Sequence, residues 1–320
     1  MSDTLTNITI EKSKAQEILA PFISKQLQPN DPEILTEIAK LDRRWKRRRW
    51  KRQLLGWLPT GMQIPRLLRG ARNQQYVLES YNANWERVDW PSPSTPPRPR
   101  ELVYAQWENG YLFIRSGALS RIHLALMADV IEELKPRTIL EVGSGNGLNL
   151  FTLASRFPEI EFTGVELTDN GVAQAQAAQQ SRPLPHTLVE FFPWPMKDEQ
   201  ALRQLTFRQG DACALPFEDS SFDLVFTRLA LEQMETIRDK ALREISRVAR
   251  HHTMMVEPFA EFNQDSTRFN YVKSKDYFSL PYAQLEQFGI EPIYTFSNFP
   301  QKLTLGAGLV VGKVGTHSTT

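Results

Sequence analysis

The spacing of apolar positions changes along this chain, and the changes mark its elements. After Asp31-Pro32, an N-cap followed by proline at the first helical position, come Ile34, Leu35, Ile38, Leu41 and Trp45 at helical intervals. That pattern predicts helix through residues 10–70. Residues 91–99 hold five prolines, at 91, 93, 96, 97 and 99, which predicts an extended linker rather than a core element. Residues 101–107 and 111–115 flank Glu108-Asn109-Gly110, a hairpin signal. Residues 117–135 form an amphipathic helix, with Leu119, Ile122, Leu126 and Val130 on one side.

Beyond residue 135, short strand patterns alternate with helical ones. Candidate strands are 138–143, 161–167, 206–209, 222–227 and 253–257, and Ile237, Ala241, Leu242, Ile245 and Val248 mark a helix before the last of these. Alternation of this kind predicts an α/β fold, a parallel sheet with helices on both faces. Residues 292–297 and 304–314 read as two further strands, close enough in sequence to pair antiparallel. The expected organisation is a basic, helical extension and proline-rich linker over 1–100, then one α/β domain over 101–320.

The first of these strands runs into Glu141-Val-Gly-Ser-Gly-Asn-Gly147, and a helical pattern follows. Such a turn lets a ligand approach bare backbone, with a helix N-terminus aimed at it. Leu148 stands where a dinucleotide fingerprint would carry its third glycine, which argues against NAD or FAD. Two later segments extend the pattern. One is Thr163-Gly-Val-Glu-Leu167, about twenty residues on, with an acid at a strand end. The other is Gly210-Asp-Ala-Cys-Ala-Leu-Pro-Phe217, leading to Ser221-Phe-Asp223. Together they resemble the class I S-adenosylmethionine-dependent methyltransferases over residues 120–314, in particular a subgroup with a "GDA..LPF..SFD" signature. The resemblance implies a Rossmann-like, seven-stranded, mostly parallel sheet with an antiparallel C-terminal strand, and S-adenosylmethionine as cofactor.

It also implies residue roles. Glu141, Gly143, Ser144, Gly145, Asn146 and Gly147 would line the cofactor, and Glu166 would accept from its ribose hydroxyls with Leu167 against the adenine. Asp211 and the Ala212 N–H would read the base edge, and Leu215 and Phe217 would pack on it. The segment Thr227-Arg-Leu-Ala-Leu-Glu-Gln-Met234 would face both methyl donor and acceptor. There Thr227 is a cofactor contact and Glu232 is either the general base or the holder of a loop. His123 is a second catalytic candidate; Glu257 also stands beside the fifth strand, and His251-His252 fall where the family makes a turn. Some quinone-pathway relatives bind a metal with an extra acid three residues before that Glu. Leu229 occupies that position, so no metal is expected. Glu166 and Asp211 lie roughly twenty residues further apart than the family usually shows. The excess, an aromatic and proline-rich stretch over 182–199, reads equally as a substrate lid at the cofactor cleft or as a packed surface loop. The segment after Glu257-Pro258, with Phe259, Phe262, Phe269, Tyr271 and Tyr277, suits a sugar face or planar acceptor, or simply a core.

Composition narrows the setting. With 41% hydrophobic residues, 23% charged residues and net charge +1, the 320-residue chain has an ordinary globular composition and no bulk affinity for polyanions. One cysteine excludes an internal disulfide framework, and no apolar run is long enough to span a bilayer. The N-terminus has neither a basic start nor an apolar stretch, so a cytoplasmic protein is expected, peripheral at a membrane at most. The exception to neutrality is residues 43–52, eight cations with Trp45 and Trp50 interleaved, then Leu54-Leu-Gly-Trp-Leu58. That block reads as a solvated helix face, as a peripheral membrane anchor or as a polyanion grip. The two tryptophans lie about 140° apart at 100° per residue, so they share no single stripe. The leading expectation is O-methylation of a glycan, lipid-linked or other small-molecule acceptor. The alternatives are an RNA methyltransferase gripping RNA through 43–52, against which no Asn/Asp-Pro-Pro-Tyr/Phe motif follows the fourth strand, and a non-catalytic cofactor-binding partner protein.

Overall fold

The computed structural model describes residues 8–56 and 90–315. Its centre is a seven-stranded sheet made of β4 (Thr138–Val142), β5 (Glu161–Glu166), β6 (Thr206–Gln209), β7 (Phe222–Arg228), β8 (Ala249–Glu257), β9 (Ile290–Phe296) and β11 (Gly308–Val314). The order across the sheet is β6-β5-β4-β7-β8-β11-β9. Pairings among the first five strands are parallel, and β11 runs antiparallel to both β8 and β9. The strands are apolar on both faces because helices cover both: Ile139, Leu140 and Val142 of β4 and Leu224, Val225 and Phe226 of β7 are all buried. The helix Arg238–Val248 buries Ala241, Leu242, Ile245 and Val248, the stripe its spacing predicts.

From β4 the chain winds outward through β5 to β6, and from β7 it winds the other way. Connections leaving the carboxyl ends of β4 and β7 therefore diverge and leave a crevice between them. The helix Leu119–Leu134 packs beneath, eleven of its sixteen residues buried.

A second, four-stranded antiparallel sheet departs from the sequence expectation. Its order is β1-β3-β2-β10, from β1 (Ile23–Leu27), β2 (Leu102–Trp107), β3 (Gly110–Arg115) and β10 (Gln301–Lys302). The hairpin β2–β3 forms as its turn predicts. Residues 10–70 are not all helix: helices occupy Lys12–Leu19 and Pro32–Gly56, and between them 23–27 pair with β3. The backbone groups along the β3 edge are satisfied by this strand, whose middle residues Ser24, Lys25 and Gln26 are exposed and offer no helical stripe. Residues 57–70 lie outside the described residues. The small sheet draws on both sides of residue 100. Nor is 91–99 a free linker. Ser92 is fully buried and donates to Glu190, and the Arg115 guanidinium donates to the carbonyls of Ser92 and Thr95.

Asp31 caps the helix Pro32–Gly56 by accepting from the Glu33 N–H at 2.9 Å. Ile34 and Trp45 are buried, whereas Leu35, one residue off their stripe, is 52% exposed. The helix lies on Ser266–Lys275, where Trp45 meets Tyr271 edge-on at 4.6 Å, Arg49 donates to Asn270, and Arg52 pairs with Asp276. Arg43, Arg44, Lys46, Arg47 and Lys51 face outward around Trp50 and Leu54, which are 59% and 50% exposed. The expected 140° between the tryptophans puts one in the core and one in solvent. Among the described residues, no helix is long and apolar enough to cross a membrane.

Candidate functional site

The crevice at the β4/β7 divergence encloses about 350 Å³, within the ~300–1,000 Å³ range usual for ligand clefts. Its floor is the turn after β4, with Gly143, Ser144, Gly145 and Asn146 lining it. Gly143 sits at φ +81°, where an added Cβ would come within 2.6 Å of the Ala230 Cβ. Glycine there keeps two loops in contact.

The turn's N–H groups are mostly engaged already, contrary to the expectation of bare amides. Gly143 and Ser144 both donate to the Val165 carbonyl, Gly147 to that of Ser144, and Gly145 to Glu166 Oε2 at 3.0 Å. What the turn offers a ligand is close approach more than donors. Gly147 does not line the crevice. Its φ is +82° and a Cβ would strike the Phe207 ring at 2.8 Å, so its glycine serves packing.

Glu166 ends β5 at the crevice wall, with Leu167 and Thr168 beside it. Its Oε1 accepts from the Thr168 N–H and hydroxyl, so the carboxylate is fixed in orientation, and a lone pair of Oε2 remains beyond the Gly145 bond. Asp211 and Ala212 line the same wall; Asp211 also accepts from the Cys213 N–H. Leu215 and Phe217 are not at the crevice: Leu215 is buried in the second core and Phe217 stands edge-on to Phe222. Two acidic side chains on adjoining strand ends, beside a backbone that admits close approach, fit a ribose and an adenine edge.

Several expected site residues fall elsewhere. Glu141 is wholly buried below the floor. Its Oε1 accepts from Asn149 Nδ2, and burial pushes its pKa up to about 8. Thr227 is buried beside Glu257, one residue short of the lining. Glu232 does not line the crevice either; its carboxylate accepts from the Gln233 side chain, and Gln233 is the residue that does line it. Glu257 is a staple: its two oxygens accept from the N–H groups of Ala230, Leu231 and Glu232, while burial drives its pKa up to about 8. His251 and His252 are not a turn but part of β8. Among the described residues, no group of three or more His, Cys, Asp or Glu side chains could hold a metal ion.

The insertion 182–199 does not reach the crevice. It folds into the helix His186–Phe191 and buries Leu184, Leu188, Phe191 and Phe192, while Trp194 Nε1 donates to Ser155 Oγ at 2.8 Å. The crevice instead takes part of its wall from Trp90 and Pro91, which the proline content of their segment concealed. Phe259 and its aromatic neighbours pack on one another and on the helix Pro32–Gly56, away from the crevice.

Arg228 is the lining residue that motif reading passed over. It closes the end of the crevice, donating from Nε to Asn149 Oδ1 at 2.8 Å and from Nη1 to Ser120 Oγ at 3.0 Å. A cation at the carboxyl end of a central strand is the signal that could have found it. Behind it a smaller chamber of about 40 Å³ is lined by Ser116, Ser120, His123, Leu229, Gln301 and Lys302, among others. Leu229 lines both spaces and holds φ +52°, a left-handed conformation costly for a branched side chain. His123, placed here rather than in the crevice, is held well below its ordinary pKa by burial and by Arg228 and Lys302.

Comparison with known proteins agrees with this geometry. Residues 140–256, from β4 to the end of β8, match the family model of a methyltransferase domain. A tRNA (guanine-N(7)-)-methyltransferase of Leifsonia xyli is 46% identical over 63 residues, 18% of this chain and 27% of that protein. A ubiquinone/menaquinone biosynthesis C-methyltransferase of Dinoroseobacter shibae is 28% identical over 137 residues, 43% of this chain and 48% of that protein. The chain thus spans less than half the length of each of these two relatives. The crystal structure of the [4+2]-cyclase SpnF aligns with TM-score 0.50 at 18% identity, over 77% of this chain and 98% of that one, a likeness of fold. The match to a methyltransferase-domain model thus covers the strands that build the crevice, on a seven-stranded Rossmann-like sheet.

Proposed function

We propose that this protein is an S-adenosylmethionine-dependent methyltransferase whose acceptor is a small molecule, a glycan or a lipid-linked compound. The observation that carries the reading is the Glu166 carboxylate, fixed by Thr168 and Gly145 at the wall of a crevice that Asp211 and Ala212 continue. When bound, the cofactor supplies a methyl group on a sulfonium, a leaving group that needs no activation. Transfer would break the S–CH3 bond as the acceptor–CH3 bond formed, with sulfur keeping the bonding pair and the acceptor's proton passing to solvent or a base.

The protein's work is then placement. Glu166 would hold the ribose hydroxyls, Asp211 would accept from the adenine amino group, the Ala212 N–H would donate to the ring, and Leu167 would lie against it. Arg228, Gln233 and Met234 also line the crevice and would face the acceptor. Alignment of this kind supplies ~7–11 kcal/mol of barrier reduction in favourable cases. Since Glu232 is turned to Gln233 and Glu257 is spent on a turn, alignment and not a carboxylate base carries the step.

The outward face of Pro32–Gly56 supports an acceptor met at an anionic lipid surface. Trp50 and Leu54 lie about 40° apart on the helix, among five exposed cations, the pattern of an interfacial helix. The relatives' names, one a tRNA enzyme and one a quinone-pathway enzyme, do not select between acceptors.

The test is calorimetric binding of S-adenosylmethionine, with methyl-labelled cofactor offered to fractionated lysate. Glu166→Ala and Asp211→Ala should each cost about 1–3 kcal/mol of affinity, as expected when a buried partner is left unpaired. Label should enter lipid, glycan or small-molecule fractions. Unchanged affinity in both variants refutes the site. Tight binding without label in any fraction refutes the activity, and label in RNA refutes the acceptor class.

A further inference from the structure

The chamber behind Leu229 has a mostly apolar lining into which Ser120, His123, Gln301 and Lys302 bring polar groups. Its wall includes β10, a strand of two residues held rigidly: Gln301 Nε2 donates to the Ala307 carbonyl at 2.7 Å while its Oε1 accepts from the Ala307 N–H at 2.8 Å. That clamp fixes where Lys302 stands. Across the chamber is His123, 6% exposed, whose Nδ1 is buried without a hydrogen-bond partner. The Ser120 hydroxyl accepts from Arg228 and retains a proton to donate.

Two cations stand close together here. Arg228 and Lys302 both feel Glu232, the one carboxylate acting on Lys302, and Arg228 opposes the charge on Lys302. Glu141 and Glu257, the other acids that act on Arg228, do not act on Lys302. Among the described residues no carboxylate forms an ion pair with Lys302. Lys302 is half-buried, and a cation partly withdrawn from water without an ion-pair partner favours an incoming negative group. The space suits one: at ~10–15 Å³ for a water, 40 Å³ takes about three, the bulk of a small oxyanion.

We propose that this chamber is the subsite for an anionic group, carboxylate or phosphate, carried by the methyl acceptor, with Lys302 as its counter-charge and Ser120 and His123 Nδ1–H as hydrogen-bond donors. The inference rests on the methyl-transfer reading for the word acceptor only. Leu229 lines both spaces, so an acceptor anchored in the chamber would reach the crevice past it.

Two arms test it. In the first, inorganic phosphate and, separately, acetate are titrated into cofactor-loaded protein. Wild type should bind at least one of them, Lys302→Met should lose at least tenfold in affinity, and Lys302→Arg should keep most of it, with cofactor affinity unchanged throughout. In the second, labelled methyl groups from lysate are separated on an anion exchanger. Label should be retained, and solvent extraction then tells a lipid phosphate from a water-soluble acid. Lys302→Met should raise KM for that acceptor at least tenfold. Neither anion binding to wild type, or equal binding to Lys302→Met, overturns the proposal even in a protein that transfers no methyl group. Label in the unretained fraction overturns it while leaving methyl transfer intact.

Discussion

Substituting Gly143 by alanine tests how the crevice floor is built. Two costs add at this position. The residue sits at φ +81°, where a side chain costs about 1–2 kcal/mol relative to glycine. The new Cβ would also stand 2.6 Å from the Ala230 Cβ, and Ala230 cannot retreat freely because its N–H donates to Glu257 Oε1 at 2.9 Å. Overpacking of that kind costs about 1–3 kcal/mol. Gly143→Ala should therefore destabilise by about 2–5 kcal/mol in urea unfolding, and affinity for S-adenosylmethionine should fall with it because the floor is displaced. Ala230→Gly in the same background removes the clash and leaves the backbone strain. It should recover about 1–3 kcal/mol relative to its effect alone, the signature of contacting residues in a double-mutant cycle. A Gly143→Ala protein within about 0.5 kcal/mol of wild type, or a cycle with no coupling, would show that the two loops do not meet as described.

Trp194→Phe should cost about 1 kcal/mol of stability, through loss of its bond to Ser155, and leave cofactor affinity unchanged. A tenfold change in affinity would mean that the insertion reaches the crevice after all. Glu141 carries a pH dependence. Its folded pKa of about 8 exceeds its unfolded value, so the folded state holds a proton that the unfolded state releases. Its contribution is fully present below about pH 4.5 and is lost as pH rises towards 8, by roughly 1.4 kcal/mol per unit. Glu141→Gln should flatten stability against pH between 5 and 7.5, and identical slopes for wild type and variant would contradict the burial argument.

The sheet and one wall of the crevice were legible because local chemistry marks them. The glycines at 143 and 145, the acid at 166 and the Asp211-Ala212 pair occur where short strands end, and strand ends are where a parallel sheet opens. What escaped has causes beyond its own segment. Residues 23–27 became a strand because β3 had an edge to satisfy, a fact that lies ninety residues away. Trp90 and Pro91 belong to the crevice because Ser92 is tethered to Glu190, in an insertion that read equally as a lid or as a packed surface loop. Glu232 matched the motif, yet backbone bonds from the Glu257 staple oriented its turn so that Gln233 faces inward. Spacing reports which residues share an element. Which side chain faces a cavity is decided by the partners that element finds.

The loop from Phe296 to Gly308 belongs by its ends to the large sheet, yet its two-residue strand is stitched into the small one through Gln106 and Ala105. The protein is thus sutured across its two layers at the point where Lys302 stands. Any tilt of the hairpin 102–115 must carry that ammonium along, so a disturbance arriving at the amino-terminal layer would be felt as a displaced positive charge beside the crevice.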